Sequence, residues 1–334
     1  MKVLYISCHS ILEYDELRIL EDLGIDYFSL GSYVVPTNPA DPIRPALKSH
    51  PETWVIGNAP PRDDIPQEFI TQFDTIIAMH VPEWITKNWD KFRGKRVIWR
   101  TIGQSTPAIE AVMAQYATRG LEIVRYSPRE ANLEPTAGCT KIIRFYKDPQ
   151  EFGGWIGAGN EVITFAQDMK HRGEFCNYDA FVEMTRGFNT KIYGPKNELS
   201  GELNGGLLAY SEMKQKMRDA RVYVYTGTQP ASYTLGFIEA MMTGIPIVAI
   251  GSRLATSLNT QNKIHANLYE IPDIITNAVN GFVTDDIQTA RKYIQALLDD
   301  PALAKRIGTM GRERAISLFG KDTIQLQWKE LLQS

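Results

Sequence analysis

The chain has 334 residues, 43% of them hydrophobic and 22% charged, with a formal net charge of −3. That length is large for one core, so two domains are expected; the composition is that of an ordinary soluble globular protein, and the charge leaves any nucleic-acid face to be a local one. Cys8, Cys139 and Cys176 are far apart and show no CxxC or Cys/His spacing, which predicts reduced, buried thiols in a cytoplasmic protein rather than disulfides or zinc ligands.

Along the chain, "KVLYIS", "DTIIAMH", "RVIWRTI" and "LEIVRYS", then "EVITFAQ", "TKIYG", "RVYVYTG" and "IPIVAIG", are short apolar runs of the kind that form buried parallel strands. Segments of helical spacing, such as "EYDELRILEDLG" and "STPAIEAVMAQYATRG", lie between them. Parallel strands need crossover helices, so the alternation predicts an α/β chain. The opening "MKVLYISCHS" turns polar too early for a signal peptide, and no apolar run approaches the roughly 20 residues of a membrane span. The prolines of 32–54 (Pro36, Pro39, Pro42, Pro45 and Pro51) exclude a helix and predict a long ordered loop or flap. The Gly-rich stretch 144–161 reads as the link between two domains, giving 1–150, 151–318 and a closing helix over 319–334.

In "ASYTLGFIEAMMTGIPIVAIGS", residues 231–252, a polar turn runs into helical spacing, then Gly-Ile-Pro, then a buried strand. A helix N-terminus attracts anions because its first N–H groups lack intrahelical partners. Ser232 and Thr234 are cap candidates, and the amides of Tyr233, Leu235 and Gly236 are placed to meet a diphosphate. Glu239, one to two turns in, has two readings: an acceptor for the vicinal hydroxyls of a ribose, or a structural salt bridge.

"LGFIEAMMTGIPIVA" resembles the second half of the donor-site signature of retaining glycosyltransferases of the GT-B fold, in particular glycosyltransferase family 4, E-G-F-G-L-x-x-x-E-A-M-A-x-G-x-P-V-V-A. "MKQKMRDARVYVYTG", "YEIPDIITNAVNGFVTDD" and "ARKYIQALLDDPALAKRIGTMGRERAISLFGKDTI" extend the resemblance over roughly residues 160–334. It implies two Rossmann-like, doubly wound domains facing across a cleft, with the acceptor on the first, a UDP- or GDP-type nucleotide sugar on the second, and the last helix returning to the first domain. It also implies retention of configuration and no metal or further cofactor. Glu239 then stands at the ribose-binding position. In place of the family's G-R-x-x-x-x-K-G clamp stands "AQDMKHRG": Arg172 takes the lysine position, Gln167 replaces the arginine, and Lys170 can supply charge. Ala231 stands where the family has a glutamate that contacts the transferred sugar.

On the acceptor side His80 after "DTIIAM" resembles the family's histidine in place, and His9 follows "KVLYIS". Glu13, Tyr14 and Asp15 are candidate acceptor-lining residues. Lys87, Lys91, Arg93, Lys95, Arg96 and Arg100, interleaved with Trp84, Trp89 and Trp99, can be a solvated helix and turn or a surface for nucleic acid. The second option matters because the fold includes viral enzymes that glycosylate hydroxymethylated bases in DNA, which must first be flipped out. A non-catalytic sugar-nucleotide binder and a nucleotide-sugar epimerase are the remaining alternatives.

Overall fold

The computed structural model describes residues 1–31, 47, 60–103, 105–257 and 268–333. All but one residue of the proline-rich stretch 32–54 therefore lies outside the described residues. The chain divides into two units, Met1–Tyr146 with Asp322–Ser334, and Lys147–Lys321.

The first unit runs β1 (Lys2–Ile6), α1 (Ser10–Asp22), β2 (Asp26–Leu30), α2 (Gln67–Ile70), β3 (Thr75–Met79), α3 (Pro82–Thr86), β4 (Arg96–Arg100), α4 (Pro107–Ala117), β5 (Glu122–Arg125) and β6 (Lys141–Ile142). Its strands pair in parallel in the order β2-β1-β3-β4-β5-β6. Leu4, Ile6, Phe28, Ile76, Ala78, Trp99 and Ile123 share one core. The central strands are apolar almost throughout because helices cover both faces of a parallel sheet. β2 went unread in the sequence; it carries Ser29 next to its carboxyl end, buried there because its hydroxyl donates to Glu13 Oε1 at 2.6 Å.

The second unit runs β7 (Val162–Phe165), α5 (Met169–Arg172), α6 (Tyr178–Thr185), β8 (Thr190–Tyr193), β9 (Asn204–Gly206), α7 (Tyr210–Asp219), β10 (Val222–Tyr225), α8 (Leu235–Thr243), β11 (Ile247–Ile250), α9 (Ser252–Ser257), α10 (Ile271–Ile274), β12 (Phe282–Thr284), α11 (Ile287–Asp299) and α12 (Pro301–Phe319). The strands are again parallel, in the order β12-β11-β10-β7-β8-β9. α8 buries Phe237, Ile238, Ala240, Met241 and Met242 and ends where Gly244 turns left-handed at φ 92°, a conformation that favours glycine. α12 packs so tightly on this turn that a Cβ on Gly308 would lie 2.0 Å from the Gly244 carbonyl.

A last helix, α13 (Lys321–Gln333), belongs from Asp322 onward to the first unit. There Trp328 is buried with the Arg100 guanidinium 5.7 Å from its ring. The cysteines depart from expectation: Cys176 is buried, but Cys8 and Cys139 are exposed, since both sit in loops at strand ends.

Candidate functional site

In the second unit the chain leaves β7 toward β8 and β9 on one side, then returns to place β10, β11 and β12 on the other. The loops after β7 and β10 therefore diverge, and in open α/β sheets ligands bind in that crevice beyond the carboxyl ends of the strands. α8 starts at this point. Gly236 allows its close approach: a Cβ there would meet Tyr223 Oη at 3.2 Å and the end of β7 at Phe165 at 3.7 Å. Thr234 is the N-cap, extended at φ −117° and ψ 164°, and its side chain makes no cap bond among the described residues. The backbone amides of the first turn are thus left to a ligand or water.

The other predicted residues of this turn have structural duties. Ser232 is fully buried and its carbonyl accepts from the Glu270 N–H at 3.1 Å. Tyr233 is buried edge-on against Phe319, ring centroids 5.2 Å apart, so its ring belongs to the core. Leu235 and Gly236 open α8, and their contribution to a ligand is the backbone N–H.

Glu239 lies one turn in and is 7% exposed. Lys147 Nζ, itself buried, approaches its Oε1 to 2.9 Å. Both sequence readings of Glu239 therefore stay in play: it is in a salt bridge, and it sits directly behind the helix terminus. Lys147 escaped the sequence reading because a lone lysine in a Gly-rich link carries no pattern.

After β7, Gln167 and Lys170 are exposed and Arg172 is partly buried. Asp168, left-handed at φ 49°, turns the chain into α5, and its carboxylate meets His171 Nδ1 at 3.0 Å. Neither Lys170 nor Arg172 has a carboxylate at ion-pair distance among the described residues. The loop is anchored behind them. Asn177 Nδ2 donates to the Thr226 carbonyl at 2.7 Å and the Thr226 hydroxyl donates to the Cys176 carbonyl at 2.7 Å, tying the end of β10 to the loop after β7. Burial pushes the Cys176 thiol up, although the nearby Arg172 charge pulls it down.

The first unit has its own switch point, between β1 and β3, and His9 and His80 follow these two strands. His9 is the N-cap of α1, its Nδ1 accepting from the Leu12 N–H at 3.4 Å. His80 is left-handed at φ 59°; its N–H donates to the Arg100 carbonyl at 2.8 Å and its carbonyl accepts from Trp99 Nε1 at 2.9 Å. Its Nδ1 is buried without a hydrogen-bond partner among the described residues, and burial holds the ring below the ordinary histidine range. Glu13 is fully buried, hydrogen-bonded to Ser29, and Tyr14 and Asp15 are buried too.

Of the two readings of the tryptophan-rich basic stretch, the contacts within the unit favour a solvated helix and turn. Lys87 pairs with Asp63 at 3.0 Å, Lys91 with Asp64 at 2.5 Å and Arg96 with Glu122 at 2.6 Å. Lys95 Nζ donates to the Thr71 carbonyl at 3.3 Å, and Arg100, fully buried, meets Glu16 at 2.6 Å. Trp99 is in the core. The turn Arg93–Lys95 precedes β4, so it lies at the amino ends of the strands, opposite the switch point. Among the described residues no group of three or more His, Cys, Asp or Glu is placed to hold a metal ion, and no helix is long and apolar enough to cross a membrane.

No protein-family model and no curated protein matches the chain. Solved structures do. The sucrose-phosphate synthase of Thermosynechococcus elongatus aligns with 100% of this chain and 98% of its own at a TM-score of 0.67 and 16% identity. Anabaena HepE in complex with UDP aligns with 100% of both chains at 0.65 and 14% identity. An alpha-glucosyltransferase in complex with UDP and a 13-mer DNA containing an HMU base aligns with 100% of this chain and 98% of its own at 0.60 and 12% identity. The likeness is one of fold: two parallel six-stranded α/β sheets, as in the GT-B glycosyltransferases.

Proposed function

We propose that the chain is a glycosyltransferase that moves a sugar from a UDP sugar to an acceptor hydroxyl with retention of configuration. One juxtaposition carries this reading. At the β7/β10 switch point the uncapped first turn of α8 stands beside a loop whose Lys170 and Arg172 have no carboxylate partner among the described residues, with the Glu239 carboxylate one turn behind. Diphosphate in front and ribose behind make a nucleotide site. As the diphosphate leaves, negative charge grows on its oxygens while the sugar becomes oxocarbenium-like; fixed N–H groups and cations there stabilise the transition state more than the ground state. The UDP complex of HepE supports uracil as the base, and retention is read from the family 4 signature. The second unit is assigned the donor, and the first, with His80 at its switch point, the acceptor. His80, neutral under its depressed pKa, would hydrogen-bond a sugar or acceptor hydroxyl.

The test is thermal stabilisation by a panel of nucleotide sugars, followed by transfer assays in which NMR reads the anomeric configuration of the product. UDP sugars are expected to raise the melting temperature and to give a retained product. Glu239→Ala is expected to bind UDP roughly ten- to a hundredfold more weakly, the cost of a hydrogen bond to a charged group. Absence of both stabilisation and turnover across the panel overturns the reading, stabilisation without turnover reduces it to sugar-nucleotide binding, and an inverted product overturns retention.

A further inference from the structure

Lys147 is a costly residue to bury. Taking an ammonium out of water is unfavourable by several kcal/mol unless it is well paired, and Lys147 is 1% exposed. Its head group is held by Glu239 Oε1 at 2.9 Å and lies 5.6 Å from the centre of the Phe152 ring. Its backbone is fixed as well: the Lys147 N–H donates to the Phe319 carbonyl at 3.0 Å. Arg312 donates to the carbonyls of Pro149 and Phe152 and to that of Met242 near the end of α8, so one guanidinium clamps the segment after Lys147 to the helix that carries Glu239.

Lys147 Nζ meets Glu239 at Oε1, and the glutamate side chain keeps 9% of its surface exposed. A charge buried in this apolar helix is costly unless it is paired. Left unpaired, the carboxylate would also repel a diphosphate bound at the start of the same helix. A lysine fixed beside it removes both difficulties.

We propose that Lys147 is a positioning residue for the nucleotide: it holds the Glu239 carboxylate in place so that the site reads the ribose hydroxyls of a nucleoside diphosphate. The proposal rests on the nucleotide-site reading of Glu239 and adds to it a residue outside the signature.

The experiment compares the affinities of UDP and 2′,3′-dideoxy-UDP, which lacks the hydroxyls Glu239 would hold, by calorimetry on the full chain. Wild type is expected to prefer UDP about tenfold or more, and Glu239→Ala to show almost no preference. Lys147→Gln should lose most of the preference, and Lys147→Arg should keep it. Lys147→Met replaces the Gln variant if that one does not fold. A Lys147→Gln protein that prefers UDP as strongly as wild type overturns the proposal, as does one that binds both nucleotides more weakly by the same factor, which is the mark of a merely structural lysine. A wild type that binds UDP without preferring it to the dideoxy analogue overturns the ribose role of Glu239 and this proposal with it. If wild type binds neither nucleotide, the functional reading itself falls.

Discussion

Both sheets are parallel and doubly wound, but they treat cations at their carboxyl ends differently. In the first unit Arg100 ends β4 and Arg125 ends β5, both fully buried, and each is met by a helix carboxylate: Glu16 of α1 at 2.6 Å, and Glu110 of α4 through two bonds of 2.7 Å. In the second unit Lys170 and Arg172 follow β7 with no carboxylate at ion-pair distance among the described residues. A cation beyond a strand end becomes scaffold when the covering helix supplies a carboxylate, and remains available to an anionic ligand when it does not. Charge counts along the sequence cannot make that distinction.

The largest expected effect tests the scaffold side. Burial pushes the Glu110 carboxyl up, but Arg125, Ser105 and the Ala137 N–H together hold it below the usual carboxylate range. Arg125→Met strands that carboxylate, so urea unfolding should report a loss of about 3–5 kcal/mol, while the UDP affinity of the folded protein stays unchanged. A loss under about 1 kcal/mol would break the contrast.

Arg172→Ala tests the ligand side. Losing a preorganised donor that faces developing charge lowers turnover about 100- to 1000-fold, whereas stability should shift by no more than about 0.5 kcal/mol. Normal turnover in a folded Arg172→Ala protein would place the diphosphate contact elsewhere.

A smaller effect is expected from Glu130, fully buried beyond β5, where desolvation raises its carboxyl to about 7 against the lowering pull of Thr101, Arg125 and the Tyr126 N–H. With the folded pKa above the unfolded one, the native state holds more protons in between. This contribution to stability is complete below the ordinary glutamate pKa of about 4.3 and is lost as pH rises through about 7. Denaturant melts of wild type and Glu130→Gln at pH 5 and pH 8 should show the variant losing this part of the pH dependence; parallel pH profiles would place the titration elsewhere.

The smallest effect concerns the basic stretch before β4. Because Lys87, Lys91 and Lys95 bond within the unit, Lys87→Gln with Lys91→Gln should leave both transfer and any affinity for hydroxymethylated duplex DNA within about twofold. A DNA complex that weakens with salt at about −0.9 per phosphate contact, with a shallower slope in the double variant, would return this stretch to the ligand side.

Much of the fold was legible because its signals are local. The apolar runs that became β1, β3, β4, β5, β7, β8, β10 and β11 report burial on both faces of a sheet, and periodicity is how burial is written in a sequence. β6 and β9, at two and three residues, were illegible because a strand that short exists only through its partner. At the site, the loop, helix, Gly turn and strand of 231–252 followed from spacing and from Gly244. The buried ring of Tyr233 and the capping role of His9 did not, since each depends on what folds against it.

The amino-acid sequence alone determined an α/β chain with a helix terminus at a strand end and a glutamate one turn behind it, because spacing, caps and turns act over a few residues. Tertiary structure decided which charges are paired. Lys147 is 92 positions from Glu239 in the chain, yet 2.9 Å separates their charged atoms; Arg100 and Glu16 are likewise brought together from 84 positions apart. Whether a buried charge is held by a partner or left to a ligand is a matter of distances that only the packed fold sets, since the interaction falls off with separation in space and not with separation along the chain.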